Sequence, residues 1–329
     1  MTSARDPAFV AALRGAVIAG EVREAEALAR YSTYRIGGPA TVLLPASIAE
    51  VAASLRLCRE AGVPVFPVGF GSNVLLPDEG LEALVIRVGK GLDRMEQDGN
   101  RWRFGAGLPA PLVARKTAEA GWAGLHMMVG VPGTVGGGVY MNAGCHGGQW
   151  ADRVTRVTVL DRRGDASERQ RAEIPFAYRR SGLGDLVVVE TEVELVPGDP
   201  AALREEVQRL FEWRQQGTPF NQPCCGSVFQ NPEWPAGPPT ADLRTAGQLI
   251  EASGLKGHRI GGAMVSPMHA NYFVNTGGAT AADVRRLIAM AQELVRVRFG
   301  VELSPEVKII GPRGTVVGAS SGSLSTGDS

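Results

Sequence analysis

Apolar side chains recur along the chain at two spacings, one helical and one of short continuous runs. Residues 6 to 29 and 201 to 214 have the helical spacing. So does the stretch through Ala61 that opens with the capping-box pattern Ser47-Ile48-Ala49-Glu50 and sets Val51, Leu55 and Cys58 on one face. A second box, Thr280 to Asp283, opens a helix with Val284, Leu287, Ile288, Ala291, Leu294 and Val295 on its apolar side. Between these lie runs mostly rich in β-branched or aromatic residues: Val63 to Val68, Ala83 to Val88, Trp102 to Gly105, Val154 to Leu160, Leu186 to Leu195 and Glu306 to Ile310. They predict strands, so the chain reads as mixed α/β. Gln216 to Pro239 gathers nine prolines and glycines around Phe220, Phe229 and Trp234, which suits a domain boundary or an active-site loop. From Pro312 onward the chain is rich in glycine and serine, too little apolar surface to offset its ordering entropy, and disorder is expected there.

At 329 residues the length suits two domains or three small ones. Lys and Arg number 34 against 34 Asp and Glu, so no whole-chain charge attracts nucleic acid or an anionic membrane surface. The first residues lack the apolar stretch of a secretory signal, and no run nears the roughly 18 apolar residues that span a bilayer. A cytoplasmic protein without membrane insertion or nucleic-acid partner, and a monomer, is expected. The four cysteines form no C-x-x-C pair, adjacent Cys224 and Cys225 cannot both ligate one metal without strain, and His126, His146, His258 and His269 are scattered. Reduced thiols and no metal site follow. Gly318 to Gly322 matches a nucleophile-elbow pattern, but it lies in the tail with no histidine after it, so chance explains it. Walker and Rossmann glycine patterns are absent.

Glycine, with 43 residues, is the departure that carries information. It clusters at Ile36-Gly37-Gly38, at Gly69-Phe70-Gly71-Ser72-Asn73 behind a predicted strand, and at Gly130 to Gly138, which leads into Asn142-Ala143-Gly144. Successive backbone N–H groups on such loops can converge on phosphate oxygens. Two separate loops of this kind suit an extended, doubly phosphorylated cofactor.

The segments Tyr34 to Ala40, Gly69 to Leu76 and Gly130 to Gly137 resemble, in order and spacing, the flavin-binding segments of the UDP-N-acetylenolpyruvoylglucosamine reductases, the MurB family. Phe176 to Arg179, Gly226 to Pro232, Gly254 to Gly257, His269 to Asn271 and Pro305 to Lys308 resemble that family's substrate-side motifs, so the likeness spans roughly residues 30 to 311. The resemblance implies an α/β, vanillyl-alcohol-oxidase-like (PCMH-type) fold, with two FAD-binding subdomains at 1–89 and 90–215, a C-terminal α/β substrate domain at 216–311 and the tail at 312–329. It implies FAD as cofactor, NADPH as co-substrate and a UDP-sugar substrate. The flavin contacts it implies are Ile36, Gly37, Gly38, Gly69, Gly71, Ser72, Asn73, Gly130, Pro132, Gly133, Thr134, Gly136, Gly137, Asn142, Ala143 and Gly144.

By the same resemblance the reaction reduces an enolpyruvyl ether to UDP-N-acetylmuramate. Hydride delivery to the terminal enolpyruvyl carbon builds negative charge on its neighbour and on the conjugated carboxylate. Arg179 matches the family's arginine, whose guanidinium fork suits a carboxylate of growing charge. Ser227 matches its proton donor, and Glu306 the third catalytic residue, which positions and stabilises the enol. Tyr178, Asn231, Lys256, His269 and Asn271 are the implied substrate contacts. Arg180 stands where the family often has an acid, which leaves open which of two adjacent arginines faces the substrate. Gln230 replaces a common Lys or Arg, and Cys145-His146 a common Ala-Tyr. The 48 positions from Arg179 to Ser227 resemble the compact second type of the family, which lacks an inserted loop carrying a capping tyrosine. Two rival readings are a flavin oxidase or dehydrogenase of the same fold acting on an alcohol or sugar, and a non-catalytic nucleotide-binding protein.

Overall fold

The first helix starts where its cap dictates. The Asp6 carboxylate accepts the N–H groups of Ala8 and Phe9 at 2.9 and 3.1 Å, Pro7 takes the first helical position, and α1 (Pro7–Ala16) follows. The helix expected to reach residue 29 ends thirteen residues early, and Glu21–Ala27 is instead a strand, β1. The cause is a distant carboxylate. Glu50 accepts the N–H groups of Ile18, Ala19 and Gly20 through one oxygen, at 3.0, 2.7 and 3.1 Å, and that of Ala46 through the other at 2.7 Å. This holds residues 18–20 in a non-helical turn. The Ser47 box is accordingly half formed: Ser47 Oγ accepts the Glu50 N–H at 3.3 Å, but the Glu50 side chain is spent elsewhere.

The computed structural model describes residues 2–234 and 242–318, and the chain folds as two units. The first comprises residues 1–26, 39–70 and 81–216. In it β1 joins β2 (Pro39–Leu44), β3 (Val65–Val68) and β5 (Leu84–Arg87) in a sheet of order β1-β2-β5-β3, whose β2–β5 and β3–β5 pairs are parallel. A right-handed helical crossover is the usual way to join parallel strands, and α2 (Ile48–Ala61) lies in the chain between β2 and β3. Five antiparallel strands form a second sheet of order β12-β11-β13-β7-β6: β6 (Met95–Asp98), β7 (Arg101–Gly105), β11 (Val154–Leu160), β12 (Ala166–Gln170) and β13 (Val187–Glu194). Helices α3 (Ala110–Glu119), α4 (Val135–Tyr140) and α5 (Pro200–Gly217) accompany it, with short pairs β8 (Trp122–Ala123) with β14 (Val196–Pro197) and β9 (Gly144–Cys145) with β10 (Gly148–Gln149). One apolar core, which includes Leu43, Val51, Leu55, Ile86, Phe104, Trp150, Val157 and Val189, serves this unit. The segments expected as two flavin subdomains both contribute to it.

The second unit comprises residues 27–38, 71–80 and 217–329. Its sheet runs β15 (Cys224–Ser227), β18 (Tyr272–Asn275), β17 (Ala263–Val265), β16 (Arg259–Ile260), all antiparallel, with α6 (Ala246–Ala252) and α7 (Ala281–Phe299). The Thr280 capping box is complete, and Val284, Leu287, Ile288, Ala291 and Val295 are buried as the spacing predicts, while Leu294 is exposed. Residues 27–38 and 71–80, placed with the first domain in the sequence reading, belong here. The reason is long-range: β4 (Val74–Leu75) pairs in parallel with β19 (Lys308–Ile309), and Tyr34, Ile36 and Leu75 enter the core formed by Phe229, Phe273 and α7.

The expected disorder from Pro312 is also corrected as far as residue 317. Gly311 N–H bonds to Thr315 O and Val317 N–H to Ile309 O, both at 2.9 Å, so the chain doubles back on β19 and Val317 packs against the second core. Residues 319–329, with most of the nucleophile-elbow pattern, lie outside the described residues.

Candidate active site

In the first unit, the loop after β3 meets the glycine-rich segment before α4. A Cβ on Gly69 would overlap the Thr134 hydroxyl, so only glycine permits this close approach. Thr134 caps α4 by accepting the Gly137 N–H at 3.3 Å. Gly133 O accepts the Ala110 N–H, and Gly136 N–H donates to Ala106 O, both at 2.9 Å, which fixes the segment against its own unit. Gly130 is buried at the end of a 3-10 turn, whereas Pro132 and Gly137 are exposed. The backbone N–H groups of Gly69, Phe70, Gly71 and Ser72 make no hydrogen bond among the described residues.

After α4 the chain reaches Asn142, wholly buried at a φ of +43°. Its side chain, expected at the flavin, is committed within the protein: the amide nitrogen donates to Gln149 Oε1 and Ala177 O, and the amide oxygen accepts the Ala151 N–H. Ala143 donates to Gly138 O at 2.7 Å, and Gly144 starts β9. Ala177 and Arg180 exchange backbone hydrogen bonds at 2.8 and 3.1 Å, closing a two-residue turn with Tyr178 and Arg179 at its tip. Arg179 has a φ of +54°, as the second central residue of such a turn requires, and its guanidinium lies 4.8 Å from the centre of the exposed Tyr178 ring. The two adjacent arginines are thereby distinguished: Arg179 is half-buried at the tip, and Arg180 is exposed on the closing leg.

In the second unit, Ile36 is buried, Gly38 donates to Pro77 O at 2.9 Å, and Thr33 donates to Gly71 O at 3.3 Å, so the first two glycine clusters pack together. Half-buried Ser72 leads to Asn73, whose amide donates to Glu306 O at 3.3 Å while its carbonyl accepts the Lys308 N–H. Ser227 sits on β15 beyond an irregularity: Cys224 pairs with Val274 and Ser227 with Tyr272, so β15 carries one residue more than β18. Gly226, at a φ of +74°, supplies the left-handed residue of this bulge, a device that re-aims the next side chain. Glu306 N–H donates to Val228 O at 2.7 Å, and Phe229 bridges to Pro305, so the Ser227 and Glu306 segments run side by side.

Of the expected substrate contacts, Asn271 is 4% exposed and clamps both backbone groups of Phe229, accepting its N–H at 2.9 Å and donating to its carbonyl at 2.8 Å. It holds the serine segment instead of offering an amide to a ligand. Asn231 Oδ1 accepts the Ala246 N–H at 3.1 Å, at the start of α6. His269 accepts the Asn271 N–H at Nδ1 and packs its ring 4.9 Å from that of Tyr272, and Lys256 pairs with Glu251 at 2.7 Å. The sequence reading missed the Tyr140 and Ser181 hydrogen bonds that tie down the arginine turn. Partners about forty positions apart leave no local signal.

Burial pushes the Cys58 and Cys225 thiols up to about 12, although Cys225 also donates to the carbonyls of Gly71 and Val74. Both should therefore stay unmodified in the native protein at neutral pH, whereas Cys145 and Cys224 are half-buried and open to reagent. Titration with a chromogenic disulfide should count at most two fast thiols before denaturation and four after; four fast thiols would sink this assignment.

Comparison with known proteins agrees with the geometry. Residues 39–168 match the model of an FAD binding domain, and residues 218–310 the C-terminal domain of UDP-N-acetylenolpyruvoylglucosamine reductase. A reductase of that name from Rubrobacter xylanophilus is 44% identical over 290 residues, 87% of this chain and 94% of the relative. The reductase of Halalkalibacterium halodurans is 40% identical over 89% of this chain and 96% of its own length. The chain belongs to the UDP-N-acetylenolpyruvoylglucosamine reductase family. A solved reductase of this family, from Thermus caldophilus, superimposes with a TM-score of 0.75 at 31% identity, covering 88% of this chain and 99% of the other. The protein is thus an oxidoreductase carrying an FAD-binding domain. The reductase chain fits that group: the backbone N–H groups of Gly69, Phe70, Gly71 and Ser72 have no partner among the described residues, and the two glycines keep part of that run clear of side chains for a diphosphate. Among the described residues no helix of this reductase is long and apolar enough to cross a membrane.

Proposed function

We propose that the protein reduces UDP-N-acetylglucosamine enolpyruvate to UDP-N-acetylmuramate, with NADPH as reductant. FAD, when bound, supplies the two-electron carrier chemistry that links NADPH to the enolpyruvyl group. Gly69, Thr134 and Gly137 are proposed to hold it, as are Ile36, Gly38, Gly71 and Ser72. The observation that carries the reading is the built segment in the second unit, where Gly226 bulges β15 at Ser227 and the 2.7 Å bond from Glu306 N–H sets the carboxylate-bearing segment, just before β19, beside it.

Arg179 pairs with the substrate carboxylate as charge grows there, and the left-handed tip of its turn presents one guanidinium and not two. Ser227 donates its hydroxyl proton to the carbon next to the carboxylate. A hydroxyl is a weak acid, but the carbanion-like centre it meets is a strong base. Glu306 steadies the enol. Asn231, Lys256 and His269 serve the UDP moiety, and Asn271 acts through the Phe229 backbone that it holds.

The test is an anaerobic stopped-flow titration that follows the flavin band. NADPH should bleach it, and the enolpyruvyl UDP-sugar should restore it before any oxygen is admitted. Recolouring only in air would favour the same-fold oxidase, and a protein that binds no FAD would overturn the flavin reading.

A further inference from the structure

The Arg179 turn does not stand by its own two hydrogen bonds. Its first residue, Ala177, has its carbonyl held at 3.0 Å by the Asn142 amide, and just past the turn Ser181 Oγ donates to Tyr140 O at 2.7 Å. Farther along, Tyr140 returns the contact, its hydroxyl donating to Gly184 O at 2.9 Å. Both anchors come from one place, the last residue of α4 and the turn that follows it, directly after the glycine-rich segment. We infer that Tyr140 and Asn142 form a clamp that positions Arg179, so that the glycine-rich segment sets the arginine's location as well as binding cofactor.

Asn142 is oriented for this task. Gln149 donates to Asp152 through its side-chain nitrogen at 3.2 Å, which leaves Gln149 Oε1 as an acceptor 2.9 Å from the Asn142 nitrogen. On the other side the Ala151 N–H requires the Asn142 oxygen at 3.0 Å. A reversed amide would set oxygen against two acceptors and strand the Ala151 donor. Asparagine also tolerates the left-handed backbone found here, which most side chains resist. An aspartate would keep the shape and lose the donor to Ala177. The turn it releases holds a second left-handed residue, Arg179 itself, and such a conformation persists only where its surroundings fix it.

The inference rests on the reading of Arg179 as the carboxylate-binding group, and two readouts on the full-length, FAD-loaded protein separate the two claims. Hydrogen exchange in Asn142→Asp should quicken about tenfold or more in the peptide spanning 177–184 and leave α7 unchanged, as expected for local opening. In stopped flow, the same variant should slow reoxidation by the enolpyruvyl UDP-sugar about 10- to 100-fold, a typical loss for a misplaced group, with reduction by NADPH within about twofold of wild type. In an Arg179→Ala background it should slow reoxidation by no more than a further factor of about two, because residues that act as one unit are not additive. Unchanged exchange at 177–184, equal slowing of both half-reactions or full additivity with Arg179→Ala would each overturn the clamp. If Arg179→Ala alone left reoxidation untouched, the arginine reading would fall and the exchange result would still judge the clamp. Should Asn142→Asp not fold, Tyr140→Phe carries the same test. Tyr140 is 41% exposed and its loss is tolerable; faster exchange near Gly184 with reoxidation slowed roughly threefold, the share of one hydrogen bond, supports the clamp, and no change in either overturns it.

Discussion

Ser227→Ala should leave the flavin reducible by NADPH at the wild-type rate and slow its reoxidation by the enolpyruvyl UDP-sugar by about 10³-fold, within the span of a lost general acid. The asymmetry follows from where the proton is needed. In the proposed reaction, NADPH oxidation requires none from the protein at this position, whereas the substrate carbanion must be quenched to complete the second half-reaction. Folding should not suffer, since Ser227 is half-buried and its hydroxyl makes no hydrogen bond among the described residues. The bulge that aims it is made by Gly226 and by pairing with Tyr272, both retained in the variant. Stopped flow on each half-reaction is the measurement. Equal slowing of both, or reoxidation within about tenfold of wild type, would remove Ser227 from the role of proton donor.

The largest effect on stability is expected at Glu50, a residue 7% exposed and not among the candidate site residues. Glu50→Ala strands four backbone N–H groups, those of Ile18, Ala19, Gly20 and Ala46. The partial water access of residues 18–20 softens the loss, which leaves roughly 2 to 4 kcal/mol and a thermal midpoint lower by roughly 10 °C. The pH dependence has a definite sign. Burial pushes the Glu50 carboxyl up, but the N–H groups of Ala19, Ala46, Gly20 and Ile18 together outweigh it and hold it below its ordinary 4.5. Its folded pKa lies below its unfolded one, so its contribution is fully present above the unfolded value and fades as pH falls through the folded one. Glu50→Gln should therefore lose part of the stability at pH 7 and differ less from wild type in acid. A Gln variant as stable as wild type at pH 7, or a difference that grows as pH falls below 4.5, would contradict this account.

The glycine clusters, in order and spacing, carried the family in the sequence itself. So did the identities of Arg179, Ser227 and Glu306 as the residues to consider. Element starts were legible wherever the deciding contact lies within a turn: Thr280 caps α7 through the Asp283 N–H three positions on, and Val154–Leu160 is a strand with its predicted ends. Short-range periodicity and capping are written in neighbouring residues, and the chain can be read for them directly.

What tertiary structure decided are the features whose partners lie far apart. Glu21–Ala27 has a helix-former composition, yet it is a strand because a carboxylate some thirty positions away holds residues 18–20 in a turn and β2 offers an edge. Residues 27–38 and 71–80 left the first domain because their apolar side chains are buried with residues beyond 225, and 312–317 became ordered because β19 and the second core receive them. The distinction between Arg179 and Arg180 came from a turn closed at Ala177 and anchored at Asn142, 35 positions earlier. Asn142 and Asn271, legible as motif residues, turned out to spend their amides within the protein, on backbone and, for Asn142, also on Gln149. A local pattern states which side chains can be buried or bonded, but the free energy of pairing distant segments belongs to the packed core alone, and that decides which of them are.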